Sequence, residues 1–386
     1  MFRGAPTPLD IGPAVRYNGT RVRTACAPPL LMERQPPAGP PPPLRLSDFD
    51  YHLPAERIAQ TPLEPRDCSR LLVLDRAAGS RTHRHFFDLP EYLSAGDVLV
   101  LNDTRVTAQR LFGARVDHPD ERVETFLTYP VAEGLWEALV RPGKKLLPGV
   151  TVVFGAGLTA QVVEKTHDRG GRLLRFAAPD GIPVEEAIAA RSLAPLPPYI
   201  GTPLPPASRG RYQTVYAQAG GSAAAPTAGL HFTPDLLARI EARGVRIARV
   251  TLHVGLGTFR PVEADDVSAH VMHAERVSVS PEAAEVVNAA TGRVFAVGTT
   301  SARTLESAAI GPRRIAPREG ETALFVTPGY RFQVVDALVT NFHMPRSTLL
   351  LLVSALAGAD PIRRAYAEAL ALKYRFLSFG DAMLIV

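Results

Sequence analysis

The sequence predicts an α/β fold: a discontinuous mixed α/β domain with a small antiparallel β-barrel of about six strands inserted into it. Three observations carry this expectation. Strand-like and helix-like stretches alternate early in the folded part and again through the second half. Between residues 106 and 179 the alternation stops, and short β-like runs follow one another with turn signals and no helical segment between them. In the second half, four polar, reactive segments stand at the ends of apolar runs, where open α/β sheets place their ligands.

Residues 1–43 hold 11 of the chain's 36 prolines and end in Gly39-Pro-Pro-Pro-Pro43. With no helical or strand period, this stretch reads as a disordered or polyproline-like tail. Met32 lies inside it as a candidate start of translation, and the folded part opens at Leu44-Arg-Leu-Ser-Asp-Phe49. Residues 70–74 and 97–101 read as strands, the second buried because it is apolar nearly throughout. Six β-like runs follow at 106–116, 123–129, 135–141, 151–154, 158–165 and 172–177. Turns are expected at His118-Pro-Asp120, Glu133-Gly134, Pro142-Gly143, Gly155-Ala-Gly157 and Arg169-Gly-Gly171. Closure into a barrel removes exposed edges, with a sandwich as the alternative.

After Pro195-Leu-Pro-Pro-Tyr-Ile200 the alternation resumes. Thr233 and Pro234 suit the N-cap and first position of a helix over 235–243, and Gly244 suits its stop. Strands are expected at 245–252, 293–297 and 332–339, and helices at 302–309 and 347–357. The division that follows is a tail (1–43), an α/β catalytic domain (44–104 with 183–386) and an inserted barrel (105–182).

Hydrophobic content of 46% and charged content of 21% are those of a globular protein. The longest strongly apolar run, residues 349–357, is too short to span a bilayer, and no secretion signal opens the chain. Cys26 and Cys68 are too few for a disulfide scaffold or a Cys-rich zinc site, which fits a reducing cytoplasm. The excess of 43 Lys and Arg over 38 Asp and Glu is compatible with plain solubility and with a polyanion-binding face. Arg105, Arg110, Arg141, Lys144 and Lys145, on or near the barrel, are the candidate RNA contacts; a solvated charged face is the alternative.

The four polar segments are Ala225-Pro-Thr-Ala-Gly-Leu-His-Phe232, His253-Val-Gly-Leu-Gly-Thr-Phe259, Val297-Gly-Thr-Thr-Ser301 and Thr340-Asn-Phe-His-Met-Pro345. Gly298, Thr299, Thr300 and Ser301 stand between a strand and a helix, where N–H groups and hydroxyls suit an anion; a plain helix cap is the alternative. Gly255 and Gly257 form a G-x-G turn without the third glycine of a dinucleotide fingerprint. His270-Val-Met-His273-Ala-Glu275 has no H-E-x-x-H helix or Cys partner to support a metal site, so hydrogen-bonding or acid–base roles are expected there. His231, His253, His273 and His343 are the candidate catalytic histidines, because imidazole titrates near working pH. Thr227, Glu275 and Asn341 complete the candidate binding set.

At these motifs the chain resembles the S-adenosylmethionine:tRNA ribosyltransferase-isomerases of queuosine biosynthesis. The likeness runs from about Leu46 to the C-terminus and includes Pro65-Arg-Asp-Cys-Ser-Arg-Leu71 and Gly96-Asp-Val-Leu-Val-Leu-Asn-Asp-Thr-Arg-Val106. Tyr212-Gln-Thr-Val-Tyr216, the four segments above, His270 to Glu275, and Tyr374-Arg-Phe-Leu-Ser-Phe-Gly-Asp-Ala-Met383 continue it. The chain departs from the family pattern in its tail, at Thr107-Ala-Gln109, where Ile-Pro-Ala is usual, and at 118–122, where a Gly-rich turn is common.

The resemblance implies an α/β domain with an inserted barrel. It also implies that S-adenosylmethionine is consumed as a substrate, its ribosyl part passing to 7-aminomethyl-7-deazaguanine in a tRNA anticodon. Adenine and methionine leave, and epoxyqueuosine-tRNA forms. The sulfonium acidifies the ribose C5′–H, so a histidine suffices as base, with His253 the first choice because it precedes the Gly-x-Gly turn. Thr300 and its neighbours would hold the methionine carboxylate. No metal, resident cofactor, membrane or protein partner is implied. A family member acting on another acceptor, and an RNA-binding protein without catalysis, are the competing readings.

A Pro-rich segment without apolar period cannot join a core. Deleting residues 1–43 is therefore expected to leave the melting temperature and turnover unchanged. A large drop in either, measured on the truncated protein, would count against the tail assignment.

Overall fold

The apolar run Arg70–Leu74 forms strand β1 in a computed structural model of the chain and pairs with β2 (Arg81–His85). Residues 44–107, 109–166, 170–193, 195–201, 210–255 and 266–386 are described by the structure; the expected tail lies outside them. Strand β3 (Val98–Asn102), buried at every position, is followed by the short β4 (Thr104–Val106). The barrel strands are β5 (Gln109–Arg115), β6 (His118–Ala132), β7 (Leu135–Arg141), β8 (Thr151–Gly155), β9 (Leu158–Lys165) and β10 (Gly171–Ala177). Then come α1 (Val184–Arg191), β11 (Ala219–Ser222), α2 (Pro234–Ala242), β12 (Arg246–Leu252), β13 (Glu275–Val279) and α3 (Pro281–Asn288). The chain continues through β14 (Val294–Val297), α4 (Gly298–Ser307), the β15 (Ala309–Gly311) and β16 (Arg314–Ile315) hairpin, and β17 (Arg318–Thr322). It ends with β18 (Ala337–Asn341), α5 (Thr348–Ala357), α6 (Ala359–Ala371) and β19 (Ala382–Ile385).

Nine strands make one mixed sheet in the order β17-β13-β12-β3-β14-β18-β19-β1-β2. Its centre, β12-β3-β14-β18, is parallel, and successive residues face opposite sides. Val98, Val100 and Ala296 enter a core under α3, α4, α5 and α6. Leu99, Leu101 and Phe295 enter a second core with Leu236 and Ile240 of α2. Both faces of β3 and β14 are thus dry, which explains why those two strands read as continuous apolar runs.

The six barrel strands close in the order β10-β7-β6-β5-β8-β9, every pair antiparallel. Leu111, Val123, Leu127, Val140 and Phe154 fill the interior with Ile188 of α1. Strand β4 before the barrel pairs in parallel with β11 after it, so the outgoing and returning chain run side by side.

Three expectations are corrected. The first barrel turn falls at residues 116–117, and His118-Pro-Asp120 belongs to β6. Arg115 pairs with His118 and grips the Asp117 carboxylate, which tightens the turn to two residues. Helix α4 starts at Gly298 instead of Ala302, its first turn held by Ser301 Oγ donating to the Val297 carbonyl at 2.7 Å. Strand β18 starts at Ala337 instead of Phe332 because the preceding N–H groups go elsewhere: those of Gln333, Val334 and Val335 donate to the Glu306 carboxylate at 2.8, 3.0 and 3.0 Å.

Glu306 also accepts from the Tyr330 hydroxyl at 3.1 Å, so one buried carboxylate on α4 takes three consecutive N–H groups and a hydroxyl on the approach to β18. Unpaired buried donors cost about 1–3 kcal/mol each, less than additively. Glu306→Ala should therefore lose about 3–5 kcal/mol of stability in guanidinium unfolding. A loss below about 1 kcal/mol would show that the 330–335 segment is held by something else.

Candidate active site

Parallel pairing puts the C-terminal ends of β12, β3, β14 and β18 along one edge of the sheet. Strand β13 runs against β12, so its N-terminal Glu275 arrives at the same edge. For the same reason β19 and β1 bring Asp381 and Ser69 there.

His253, just past β12, is half-buried. Its N–H donates to the Arg276 carbonyl at 3.0 Å, and its Nδ1 lies 2.8 Å from Thr104 Oγ1 just past β3. The Thr104 hydroxyl also reaches the Ala219 carbonyl at 3.4 Å. Gly221 of β11, at φ +134°, passes flat under the imidazole, and a Cβ there would stand 3.1–3.3 Å from three ring atoms. Burial, then the Arg276 guanidinium, pull the His253 pKa below its ordinary value, against Asp103 and Glu319. The imidazole is consequently neutral at neutral pH.

Glu275 braces Gly255, two residues on from His253. One carboxylate oxygen accepts from the Gly255 N–H at 3.1 Å, and the other pairs with the Arg303 guanidinium of α4 in a buried ion pair. Arg303 Nε donates to the Leu324 carbonyl at 3.0 Å. Gly257 lies outside the described residues.

His253, Gly255, His273 and Glu275 line one cleft of about 2020 Å³. Its opposite wall is the outer face of the barrel, with Arg110, Arg141 and Lys144 among the lining residues. Arg110 is paired with Glu124 at 2.6 Å, and Lys145 turns to Glu121. Arg105 lies in β4, outside the barrel, where its guanidinium donates to the Ala217 carbonyl at 2.7 Å. Among the described residues no group of three His, Cys, Asp or Glu is placed to hold a metal ion.

Thr227, Asn341 and His231 form a second, buried chain of hydrogen bonds, and neither they nor His343 and the start of α4 are among the residues lining that cleft. Thr227 Oγ1 donates to Asn341 Oδ1 at 2.8 Å, and Asn341 Nδ2 faces His231 Nε2 at 3.2 Å. The amide is a donor there, so the His231 proton sits on Nδ1, 2.7 Å from Ser69 Oγ. Burial, then Arg375 and Arg66, push His231 down to about 3. His343, likewise pushed down to about 3 by burial, is held by Thr340 Oγ1 at 2.8 Å, with its backbone clasped by Tyr51 and Tyr366. The one-pocket expectation for His253, His273, Thr300, Asn341 and His343 therefore finds only the first two in the cleft.

At the start of α4, Gly298 and Thr299 are buried and no side chain caps the helix. Thr300 Oγ1 is buried without a hydrogen-bond partner among the described residues. Ser301 is turned back onto its own helix. The sequence reading missed Thr104, Gly221, Arg276 and Arg303. Thr104 was findable as the first hydroxyl past a buried strand, whereas only tertiary contacts mark the other three.

Residues 46–385 match the family model described as queuosine biosynthesis protein. The chain is 57% identical over 346 residues to an S-adenosylmethionine:tRNA ribosyltransferase-isomerase of Symbiobacterium thermophilum, covering 89% of this chain and 100% of that one. It is 54% identical over 342 residues to the protein of the same name from Heliobacterium modesticaldum, covering 88% and 98%. A crystal structure of an S-adenosylmethionine tRNA ribosyltransferase from Thermotoga maritima shares 38% identity at a TM-score of 0.50, covering 88% of this chain and 100% of that one. With a match over nearly all of the described sheet and barrel, at identities above one half, the chain belongs to the queuosine biosynthesis protein family.

Proposed function

We propose that this chain transfers the ribosyl moiety of S-adenosylmethionine to 7-aminomethyl-7-deazaguanine in a tRNA anticodon and isomerises it. The products are epoxyqueuosine-tRNA, adenine and methionine. The observation that carries this reading is His253: a neutral, braced imidazole at a strand end, in a cleft of about 2020 Å³ whose barrel wall carries Arg141 and Lys144.

Thr104 directs its hydroxyl proton toward Ala219 and accepts from His253 Nδ1–H, which leaves the Nε2 lone pair for a substrate proton. The sulfonium of S-adenosylmethionine acidifies the neighbouring C5′–H, so the base need not be strong. Removal of that proton starts ribosyl transfer, and departure of adenine and methionine completes it. Glu275 with Arg303 holds the Gly255 backbone and thereby the His253 loop. The first turn of α4 stands at the same sheet edge but outside the cleft lining; its N–H groups, with Thr300 Oγ1 unpartnered among the described residues, are the candidate holders of the methionine carboxylate. S-adenosylmethionine is a consumed substrate, and the scheme draws on no resident cofactor. Among the described residues no helix is long and apolar enough to cross a membrane, and a tRNA-modifying activity belongs in the cytoplasm.

His253→Ala should lose turnover roughly a hundred- to ten-thousand-fold, followed as adenine release, while still binding both substrates. Near-normal release would remove His253 from the role of base. Because its pKa is lowered, the basic form persists to more acid pH than for an ordinary histidine. Turnover should therefore stay flat through neutrality and fall only below pH 6.5, the ordinary value. An acid limb above that value would contradict the assignment. Charge reversal at Lys144 and Lys145 should weaken tRNA binding and reduce its salt dependence without altering S-adenosylmethionine binding. Salt-insensitive tRNA binding would place the basic contacts elsewhere.

A further inference from the structure

The barrel wall of the cleft carries an exposed aromatic ring that no function has yet absorbed. Along β6, Val123, Thr125 and Leu127 point into the barrel, so strict alternation would bury Tyr129 as well. A register shift between Leu127 and Tyr129 breaks the alternation. Tyr129 then pairs with Glu137, on the same outer face as the Phe126 and Leu139 pair. Tyr129 is 45% exposed and lines the cleft that His253 lines. A bulge that re-aims one side chain is a feature of barrel rims beside active sites.

Arg276 of β13 reaches across from the sheet, and its guanidinium carbon stands 5.2 Å from the centre of the Tyr129 ring. The carbonyl of the same residue receives the His253 N–H. One residue therefore ties the exposed ring to the candidate base. An aromatic face beside a guanidinium plane is the surface on which proteins stack unpaired nucleobases. A base in an anticodon must leave its stack before a bulky reagent can reach it.

We infer that Tyr129, with Arg276 against its ring, is the stacking platform for the acceptor nucleobase once that base has left the anticodon stack. This rests on the function proposed above. Its ligand is the π-face of a purine-like base, and its contribution is insensitive to salt because stacking releases no counterions.

The test is a binding cycle with two synthetic anticodon stem-loop RNAs, one carrying the acceptor base and one abasic at that nucleotide. Tyr129→Ala should weaken binding of the intact RNA about ten- to a hundred-fold, and Tyr129→Phe, which keeps the ring, should restore most of it. For the abasic RNA, wild type and Tyr129→Ala should bind alike, and the slope of affinity against salt should be the same for both proteins. Because Tyr129 is exposed, an unchanged melting temperature is expected for both variants. Equal losses with both RNAs, or failure of Tyr129→Phe to restore binding, would overturn the platform. Wild type that binds the intact RNA but releases no adenine with S-adenosylmethionine would instead defeat the proposed function, while the cycle still decides the platform. No binding of either RNA by wild type would overturn both.

Discussion

The parallel pairing of β12, β3, β14 and β18 is the constraint on which the rest depends. Parallel strands require crossovers, and crossovers cover both faces of the sheet with helices. The interior becomes dry, as the full burial of Val98–Asn102 and Val294–Val297 shows. Backbone and side-chain polar groups then have only the strand ends at which to meet solvent and substrate. The chain places Asn102, Thr104, His253 and the first turn of α4 there. Even the structural bonds of that edge serve position: Asn102 accepts from the Leu252 and Thr104 N–H groups, locking the ends of β12 and β3 together beneath the imidazole.

The barrel supplies what the sheet lacks. A closed antiparallel barrel has no free edges, so its outer face is available for binding without inviting strand addition. Its wall is mixed in charge: Arg110 is neutralised by Glu124, whereas Arg141 and Lys144 face the cleft without a comparable described ion pair. Arg172, buried in β10, donates to the Gly143 and Leu146 carbonyls and so holds the turn that carries Lys144. A basic side chain on a braced turn loses less entropy on meeting a phosphate than one on a loose loop.

Burial divides the histidines by what they can do. His231 and His343 are held neutral down to about 3, each with its ring nitrogens committed to neighbours or to the dry interior. They suit fixed hydrogen-bonding roles. His253 is only half-buried, and its downward shift leaves it able to take a proton and return it to solvent. His273 is exposed on the cleft rim.

Much of the architecture was legible in the residues alone. Apolar runs such as Val98 to Leu101, alternation such as that of Leu135–Arg141, and the Thr233–Pro234 start of α2 are local signals, and local signals survive in a string of letters. An equivalent hydroxyl–proline pair, Ser280–Pro281, marks the start of α3, which is not among the helices expected from the sequence. Element starts that depend on distant partners were not legible: β18 begins late because Glu306, some thirty residues earlier, takes its N–H groups. The candidate histidines and the threonine-rich turn were visible as residue types at strand ends. Which of them share a cleft was decided by the tertiary structure, since that depends on where β11 brings Gly221, where α4 points Arg303 and where a bulge turns Tyr129. Composition and period determine what a segment becomes; only packing between segments far apart in sequence determines what it faces.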